Sequence, residues 1–514
     1  MSRPDGPHGI DPAFLALPHR ALGDAALQRA RELGASHADF RFERVRYQHL
    51  AVRDEVLQGA SDSEDLGFAV RVVHRGAWGF AAGVRLTDDE AVRVAEAAVA
   101  VAELAATMTA TPVELAPEPV HDDVTWVSSY AVDPLAVPTP EKAAVLTDWS
   151  GRLRRHPAVQ HATASLQQVH EVKYYADLAG TRTTQQRVRL QPSFEAMGAD
   201  DARGVFDSMT TLAPPVGRGW EYVVGSATDG AWDWDAELAE VPELLAEKLA
   251  APSVEAGTWD LVVHPSNLWL TIHESIGHAT ELDRALGYEA NYAGTSFATL
   301  DRLGTLQYGS PAMHVTGDRT VEHGLATTGF DDEGVATQSW DIVRDGVLVG
   351  YQLDRAMAAM VPELNGGRSN GCAYADSPGH VPVQRMANVS LAADPDGPST
   401  EELVGRVERG IYVVGDKSWS IDMQRYNFQF TGQRFYRIEG GELRGQLRDV
   451  AYQATTTDFW GSLEAVGGPG TYELGGAFNC GKAQPGQVAA VSHGCPTSLF
   501  RGVRILNTDD EGDH

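Results

Sequence analysis

The run His273-Glu274-Ser275-Ile276-Gly277-His278 places the tightest demand on how this chain can fold. It follows a strand expected over residues 258–263, a Pro265-Ser266 helix start and the largely apolar run 267–272. Two imidazoles and a carboxylate this close offer two neutral metal ligands and one general base. The common zinc-protease pattern H-E-x-x-H sets its histidines at i and i+4, on one helical face. Here they stand at i and i+5, which on a regular helix turns them roughly 140° apart. To face one ion, the helix must widen to an i→i+5 turn, or end near Gly277 so that His278 swings in. The alternative is two unrelated histidines at a helix end.

A chain of 514 residues exceeds one ordinary core, so two or three domains are expected. Hydrophobic content of 43% with 22% charged residues fits a soluble globular protein. No apolar run approaches the ~20 residues that span a bilayer. The start Met1-Ser2-Arg3-Pro4 lacks a charged-then-apolar signal pattern, and a cytoplasmic location is expected. A net charge of −30 disfavours nucleic-acid binding and adsorption to anionic membranes. Three cysteines, Cys372, Cys480 and Cys495, are too few and odd in number for a disulfide framework.

Along the chain, residues 1–18 are Pro/Gly-punctuated and expected to form a flexible tail. A helix over 19–33, alternating strands over 37–84 and a helix over 91–106 form a small α+β unit, residues 19–112. A proline-punctuated connection follows, with little regular structure expected over 111–138. Helix, strands and helix then recur at 140–155, 159–193 and 231–250, giving a second α+β unit over 113–252. From residue 256 the text becomes Gly-rich and strand-rich, with short helices expected at 353–360 and 400–409. The fold class is therefore α+β: two small N-terminal units, then a large antiparallel β-rich domain, 253–506, carrying the metal helix. Residues 507–514 read as a tail.

Catalytic zinc takes three protein ligands and one open position. Glu281, Asp283, Glu289, His314 and His323 are available downstream, but none has a distinctive context. Cys480 lies in Gly475-Gly476-Ala477-Phe478-Asn479-Cys480-Gly481-Lys482, where glycines permit close backbone approach and Lys482 could favour a thiolate. A buried inert thiol is the competing reading. His493 is read as a surface or packed histidine.

Several motifs, in order, resemble the TldD/PmbA metalloprotease family, in its metal-bearing TldD-like branch. They are His273-Glu274-x-x-Gly277-His278-x-x-Glu281-x-Asp283, Gly329-Phe330-Asp331-Asp332-Glu333-Gly334 and Gly350-Tyr351-x-Leu353-Asp354-Arg355. Arg385-Met386-x-Asn388, Gly410-Ile411-Tyr412-Val413 and Cys480-Gly481-Lys482 follow. The resemblance implies Zn²⁺ held by His273, His278 and Cys480, with Glu274 as catalytic glutamate. It also implies peptidase action on unfolded peptides or precursor leader peptides, and pairing with a PmbA/TldE-like partner subunit or a second copy. A non-catalytic regulatory role, suggested by gyrase-modulator naming in the family, is the rival. One departure stands out. Where the family has a Gly-rich turn after Gly410-Ile411-Tyr412-Val413, this chain reads Gly415-Asp416-Lys417-Ser418-Trp419-Ser420. If that segment borders the cleft, substrate preference differs.

Overall fold

The structure is a computed structural model that describes residues 8–225 and 230–509. Its fold is α+β. The N-terminal strands are β1 (His37–Arg53), β2 (Val56–His74), β3 (Ala77–Gly83), β4 (Val124–Val127), β5 (His161–Asp177), β6 (Arg182–Asp200) and β7 (Val205–Thr210). They form a single sheet in the order β3-β2-β1-β5-β6, with β4 and β7 both on β6. The two units expected from the recurring helix–strand pattern thus share one sheet, because β1 pairs with β5 from Asp39 to Arg53. Alternation in a sequence reports the two faces of a strand and is silent about its lateral neighbour.

Even-numbered residues face the helices. At one end of the strands, Phe40, Phe42, Val70, Val172 and Tyr174 pack on α1 (His19–Glu32) and α2 (Asp88–Ala106). At the other end, Leu50, Leu166, Leu190 and Phe194 pack on α3 (Thr139–Arg154) and α4 (Trp234–Ala250). Each expected unit therefore keeps its own core on one shared face. The expected N-terminal tail is docked from residue 8 onward: Phe14 is fully buried in the first core and the Asp11 amide bonds Gln186. Residues 1–7 and 510–514 lie outside the described residues, and Asn507 ends the last strand.

Odd-numbered residues on the opposite face are charged, yet buried. Lys173 bonds Asp332 (2.8 Å) and the Ala375 carbonyl (2.8 Å), Arg71 pairs with Asp39 and Glu333, and Arg41 reaches Asp332. Asp332 and Glu333 belong to the Gly329–Gly334 motif, which thereby fastens the C-terminal domain to the sheet.

The C-terminal domain is built on β8 (Gly257–Val263), β9 (Arg409–Ile421), β10 (Asn427–Glu439), β11 (Glu442–Leu447), β12 (Val450–Thr455), β13 (Glu473–Lys482), β14 (Gln487–Cys495) and β15 (Ser498–Asn507). Strands pair in the order β9-β8-β15-β12-β10-β11, and β9 also pairs β10, so five strands close into a ring. All its pairs are antiparallel except β8 with β9. The segment after Val413, where this chain departs from the family's Gly-rich turn, is part of β9, which runs on through a bulge between Asp416 and Trp419. Helix α5 (Pro265–Ile272) packs on the ring, where Leu268 and Ile272 meet Val263, Ile411 and Phe430. Asn267 anchors it through the Gly415 and Thr431 carbonyls. No described helix is long and apolar enough to cross a membrane.

Candidate metal centre

Helix α5 starts as its sequence dictates: Pro265 fills the first turn and the His264 ring accepts the Ser266 amide. It does not end at His273. Residues His273–Gly277 form a π turn, in which the His278 amide donates to the His273 carbonyl. This is the first of the two expected ways to bring i and i+5 together, and it leaves the ring centroids of His273 and His278 4.7 Å apart. The second way does not operate, since Gly277 keeps helical dihedrals. Gly277 is required for space: a Cβ there would lie 2.5 Å from the Met386 sulfur.

A wide turn disturbs the regular carbonyl ladder, so its oxygens need other donors. Ser275 Oγ donates to the Thr271 carbonyl and Thr280 Oγ1 to that of Ile276. The Tyr308 hydroxyl donates to the Ser275 carbonyl and Gln352 Nε2 to that of Gly277. The π turn is thus held by side chains from four directions, and every residue in it is buried.

Cys480 arrives on β13. One ligand atom each from His273, His278 and Cys480 lies within 4.8 Å of the others, and all three residues are buried. The Cys480 sulfur is 3.5 Å from His278 Nε2. Gly475 and Gly476 allow this approach, since a Cβ on Gly475 would lie 2.4 Å from the Trp269 ring and one on Gly476 2.4 Å from the Val491 carbonyl. Gly481 has open space around it and imposes nothing.

Hydrogen bonds fix which ring nitrogens face inward. His278 Nδ1 donates to Glu281 (2.9 Å), leaving Nε2 toward Cys480. His493 Nδ1 donates to the Val389 carbonyl (2.8 Å), so its Nε2 accepts from His273 Nδ1 (2.7 Å). That leaves His273 Nε2 with its lone pair free for a cation. Burial lowers the basicity of His273 and takes His493 well below the usual range, which keeps both rings neutral. Burial alone would raise the Cys480 thiol, but His278 and Arg385 outweigh it and hold the thiol below its ordinary value. Burial instead pushes Cys372 up to about 12 and Cys495 well above the usual range. Two imidazoles and a thiolate-prone sulfur suit a borderline-soft cation.

Some residues play roles the sequence did not reveal. Lys482 does not serve the thiolate: its Nζ bonds Asp283 (2.8 Å) and lies 3.2 Å from Glu281, which Arg284 also pairs. Glu281 is fully buried; its i+3 spacing from His278 was the available signal. His493 had none, because its place depends on β14 pairing with β13. Of the other candidates, Glu289 pairs with Arg284, His314 is partnered by Asp345 and His323 bonds the Gly217 carbonyl, so none joins the cluster.

Glu274 stands between the two histidines in sequence and is buried. Burial would raise its carboxyl, but His278, His273, Arg425 and a Trp419 hydrogen bond together hold it below the usual range. Arg425 Nη1 lies 2.6 Å from Glu274. It comes from the β9–β10 turn, in a left-handed conformation (φ 62°) stapled by Asp422, which accepts the amides of Gln424, Tyr426 and Asn427. Beside these groups, a cavity of about 300 Å³ opens between the N-terminal sheet and the metal helix. Gln191–Ser193 and Thr210–Pro215 line one side, with Trp269, Asp416, Trp419 and residues 473–478 on the other. The segment that departs from the family pattern therefore does border the cleft.

The geometry agrees with what the comparisons find. Residues 256–507 match the PmbA/TldA metallopeptidase C-terminal domain, and residues 38–102 match PmbA/TldA metallopeptidase domain 1. A Methanothermobacter thermautotrophicus protein named "Metalloprotease" is 24% identical over 92% of this chain and 96% of its own. A Saccharolobus solfataricus "Zinc metalloprotease TldD homolog" is 22% identical over 93% of this chain and 98% of its own. The fold is that of TldE from Thermococcus kodakarensis, with a TM-score of 0.67 at 15% identity over 94% and 99% of the two chains. Matched in both domains and along nearly its full length, this chain belongs to the PmbA/TldD family of metallopeptidases.

Proposed function

We propose that this protein is a zinc peptidase acting on unfolded peptides or precursor leader peptides, with His273, His278 and Cys480 holding the ion and Glu274 as general base. The observation that carries the reading is the convergence of three buried ligand atoms, with each imidazole backed by its own partner, beside a buried carboxylate. When bound, zinc supplies Lewis acidity toward a water and a peptide carbonyl.

The residues do the rest. Glu274 takes the proton of the attacking water as the new C–O bond forms, then delivers it to the leaving amine as the C–N bond breaks. Arg425 keeps that carboxylate ionised before substrate arrives. Glu281 and His493 hold the two imidazoles in the tautomers that present Nε2. An extended peptide has somewhere to lie: among the described residues β13 pairs only with β14, so its other edge, at the cavity, offers free main-chain groups. Pairing through backbone suits weak sequence preference. A TldE-like subunit, or a second copy, is the proposed partner, and the cytoplasm the proposed site of action.

The test is cleavage of unstructured peptides, read by mass spectrometry, before and after chelation and zinc restoration. Glu274→Gln is expected to keep zinc and lose cleavage. A Glu274→Gln variant that retains full cellular function would establish a regulatory role instead.

A further inference from the structure

The cavity beside the metal ligands carries uncompensated negative charge. Among its described lining residues only Asp416 and Glu473 are charged, and no lysine or arginine lines it. The neighbouring cations do not compensate it. Lys417 turns away to Asp207 and the Ser208 carbonyl, and Arg434 is not among the lining residues and forms no ion pair with Asp416 or Glu473. His264 lies 3.6 Å from Glu473, but burial lowers it to about 4, so it is neutral at pH 7. Among the described residues the only side-chain partner of Asp416 is the Trp269 indole N–H, at 3.1 Å. A largely buried carboxylate whose donors are all neutral, this indole and its own backbone amide, is poorly satisfied, and a cation from outside would complete it.

The walls suit such a cation. Trp269 and Trp419 both line the space, and the face of an indole attracts ammonium and guanidinium groups. The long methylene stem of a lysine or arginine can lie along the same rings. The cavity also adjoins the chemistry. Trp269 precedes His273 by one helical turn, with its ring centroid 6.3 Å from both His273 and His493. Trp419 donates a hydrogen bond to Glu274. A side chain held here belongs to a residue close to the bond being cut.

We propose that this cavity is a specificity subsite for a lysine or arginine side chain of the peptide substrate, with Asp416 and Glu473 as its charge partners and the two tryptophans as its walls. The proposal rests on the peptidase reading above and adds to it a preferred substrate class: basic unfolded peptides.

Two measurements on the full-length, zinc-loaded protein test it at pH 8. In the first, a mixed library of unstructured peptides is digested and the products are sequenced by mass spectrometry. Lysine and arginine are expected to be enriched about tenfold at one fixed position near the cleaved bond. Asp416→Asn, which keeps the acceptor for Trp269, should remove most of that enrichment while peptides neutral at that position are still cut. Glu473→Gln should reduce it less. Cleavage with no basic enrichment, or enrichment unchanged in both variants, overturns the subsite and leaves the peptidase reading standing. In the second, binding to Glu274→Gln is measured by calorimetry for matched peptides carrying lysine or glutamine. About tenfold tighter binding of the lysine peptide, lost in the Glu274→Gln/Asp416→Asn double variant, supports the subsite even if no peptide is cleaved, in which case only the peptidase reading fails. Equal affinity for the two peptides overturns the subsite.

Discussion

Two buried polar regions of this protein look alike in composition and differ in how their charges are settled. Between the N-terminal sheet and the C-terminal domain, five basic side chains (Arg41, Arg71, Lys173, Arg187, Arg189) face five acidic ones (Asp39, Glu43, Glu171, Asp332, Glu333). Each is paired within the protein. At the candidate metal centre, hydrogen bonds run outward from His273 and His278 to their supports, and among the described residues the inward nitrogens and the Cys480 sulfur have only one another. A compensated cluster binds two parts of a fold together. A cluster whose lone pairs converge without a cation is arranged for something that comes from outside. Whether a buried polar group is satisfied separates structure from site better than its burial or its charge.

The strongest way to break this comparison is to remove a converging ligand. Cys480→Ala and His278→Ala should each take zinc from about one per chain to near none, with cleavage lost and the far-ultraviolet circular dichroism unchanged. Cys372→Ala and Cys495→Ala should keep full occupancy, since burial holds both as neutral thiols. Zinc measured by atomic emission decides it: full occupancy in Cys480→Ala, or loss in Cys372→Ala, means a different third ligand.

Removing one partner of the compensated region should instead cost stability and spare the metal. Lys173 bonds Asp332 and the Ala375 carbonyl and lies 3.6 Å from Glu43. Lys173→Met leaves three buried carboxylates, Glu43, Glu171 and Asp332, short of a cation, a loss of roughly 3–5 kcal/mol. Urea unfolding should show it, with zinc occupancy unchanged in the folded protein. Loss of zinc at native conditions would mean that the two regions are coupled.

These two regions were unequally legible in the sequence. His273 and His278 stood out by their closeness, and for both to face one ion the i+5 interval called for either a widened turn or an early helix end, of which the widened turn is present. Cys480 came through the resemblance, because two hundred residues of β structure intervene and local sequence carries no distance. His493 was invisible for the same reason: strand register put it behind His273. The charged face of the sheet was misleading in another way. Asp39, Arg41 and Glu43 alternate with Ala38, Phe40 and Phe42, a pattern that fits a half-buried strand with a wet outer face. Alternation separated the faces correctly, but a second domain covers the polar one. Likewise one sheet, not two, follows from edge pairing that no local pattern encodes.

A milder perturbation sharpens the picture of the metal centre. His493→Ala removes the acceptor for His273 Nδ1, and Glu281→Gln weakens the charge behind His278. Each leaves the ligands in place but frees their tautomers, so zinc affinity should fall roughly 10–100-fold. Competition with a chromophoric chelator measures it. Affinity unchanged in His493→Ala would reduce that residue to packing.

The smallest effect is a change in the slope of stability with pH, and it probes whether the compensated region is balanced throughout. Burial pushes the Glu43 carboxyl up to about 7, despite Arg41 and Lys173 beside it. A carboxyl raised in the folded state favours folding while protonated. Its contribution is fully present below the unfolded value of about 4.5 and is lost as pH rises through about 7. Glu43→Gln, neutral at every pH, should therefore lose less stability than the wild type between pH 5 and pH 8, the slopes differing by at most ~1.4 kcal/mol per pH unit. Glu171 works the other way. Burial would raise it, but Arg187, Lys173 and Arg189 hold it well below the usual range, so its contribution is lost only in acid. Urea midpoints of both proteins at pH 5, 6.5 and 8 isolate the Glu43 term, because Glu171 stays ionised throughout. If wild type gains on Glu43→Gln as pH rises, then Glu43 is held as an anion by Arg41 and Lys173, and charge pairing rather than burial governs that part of the interface.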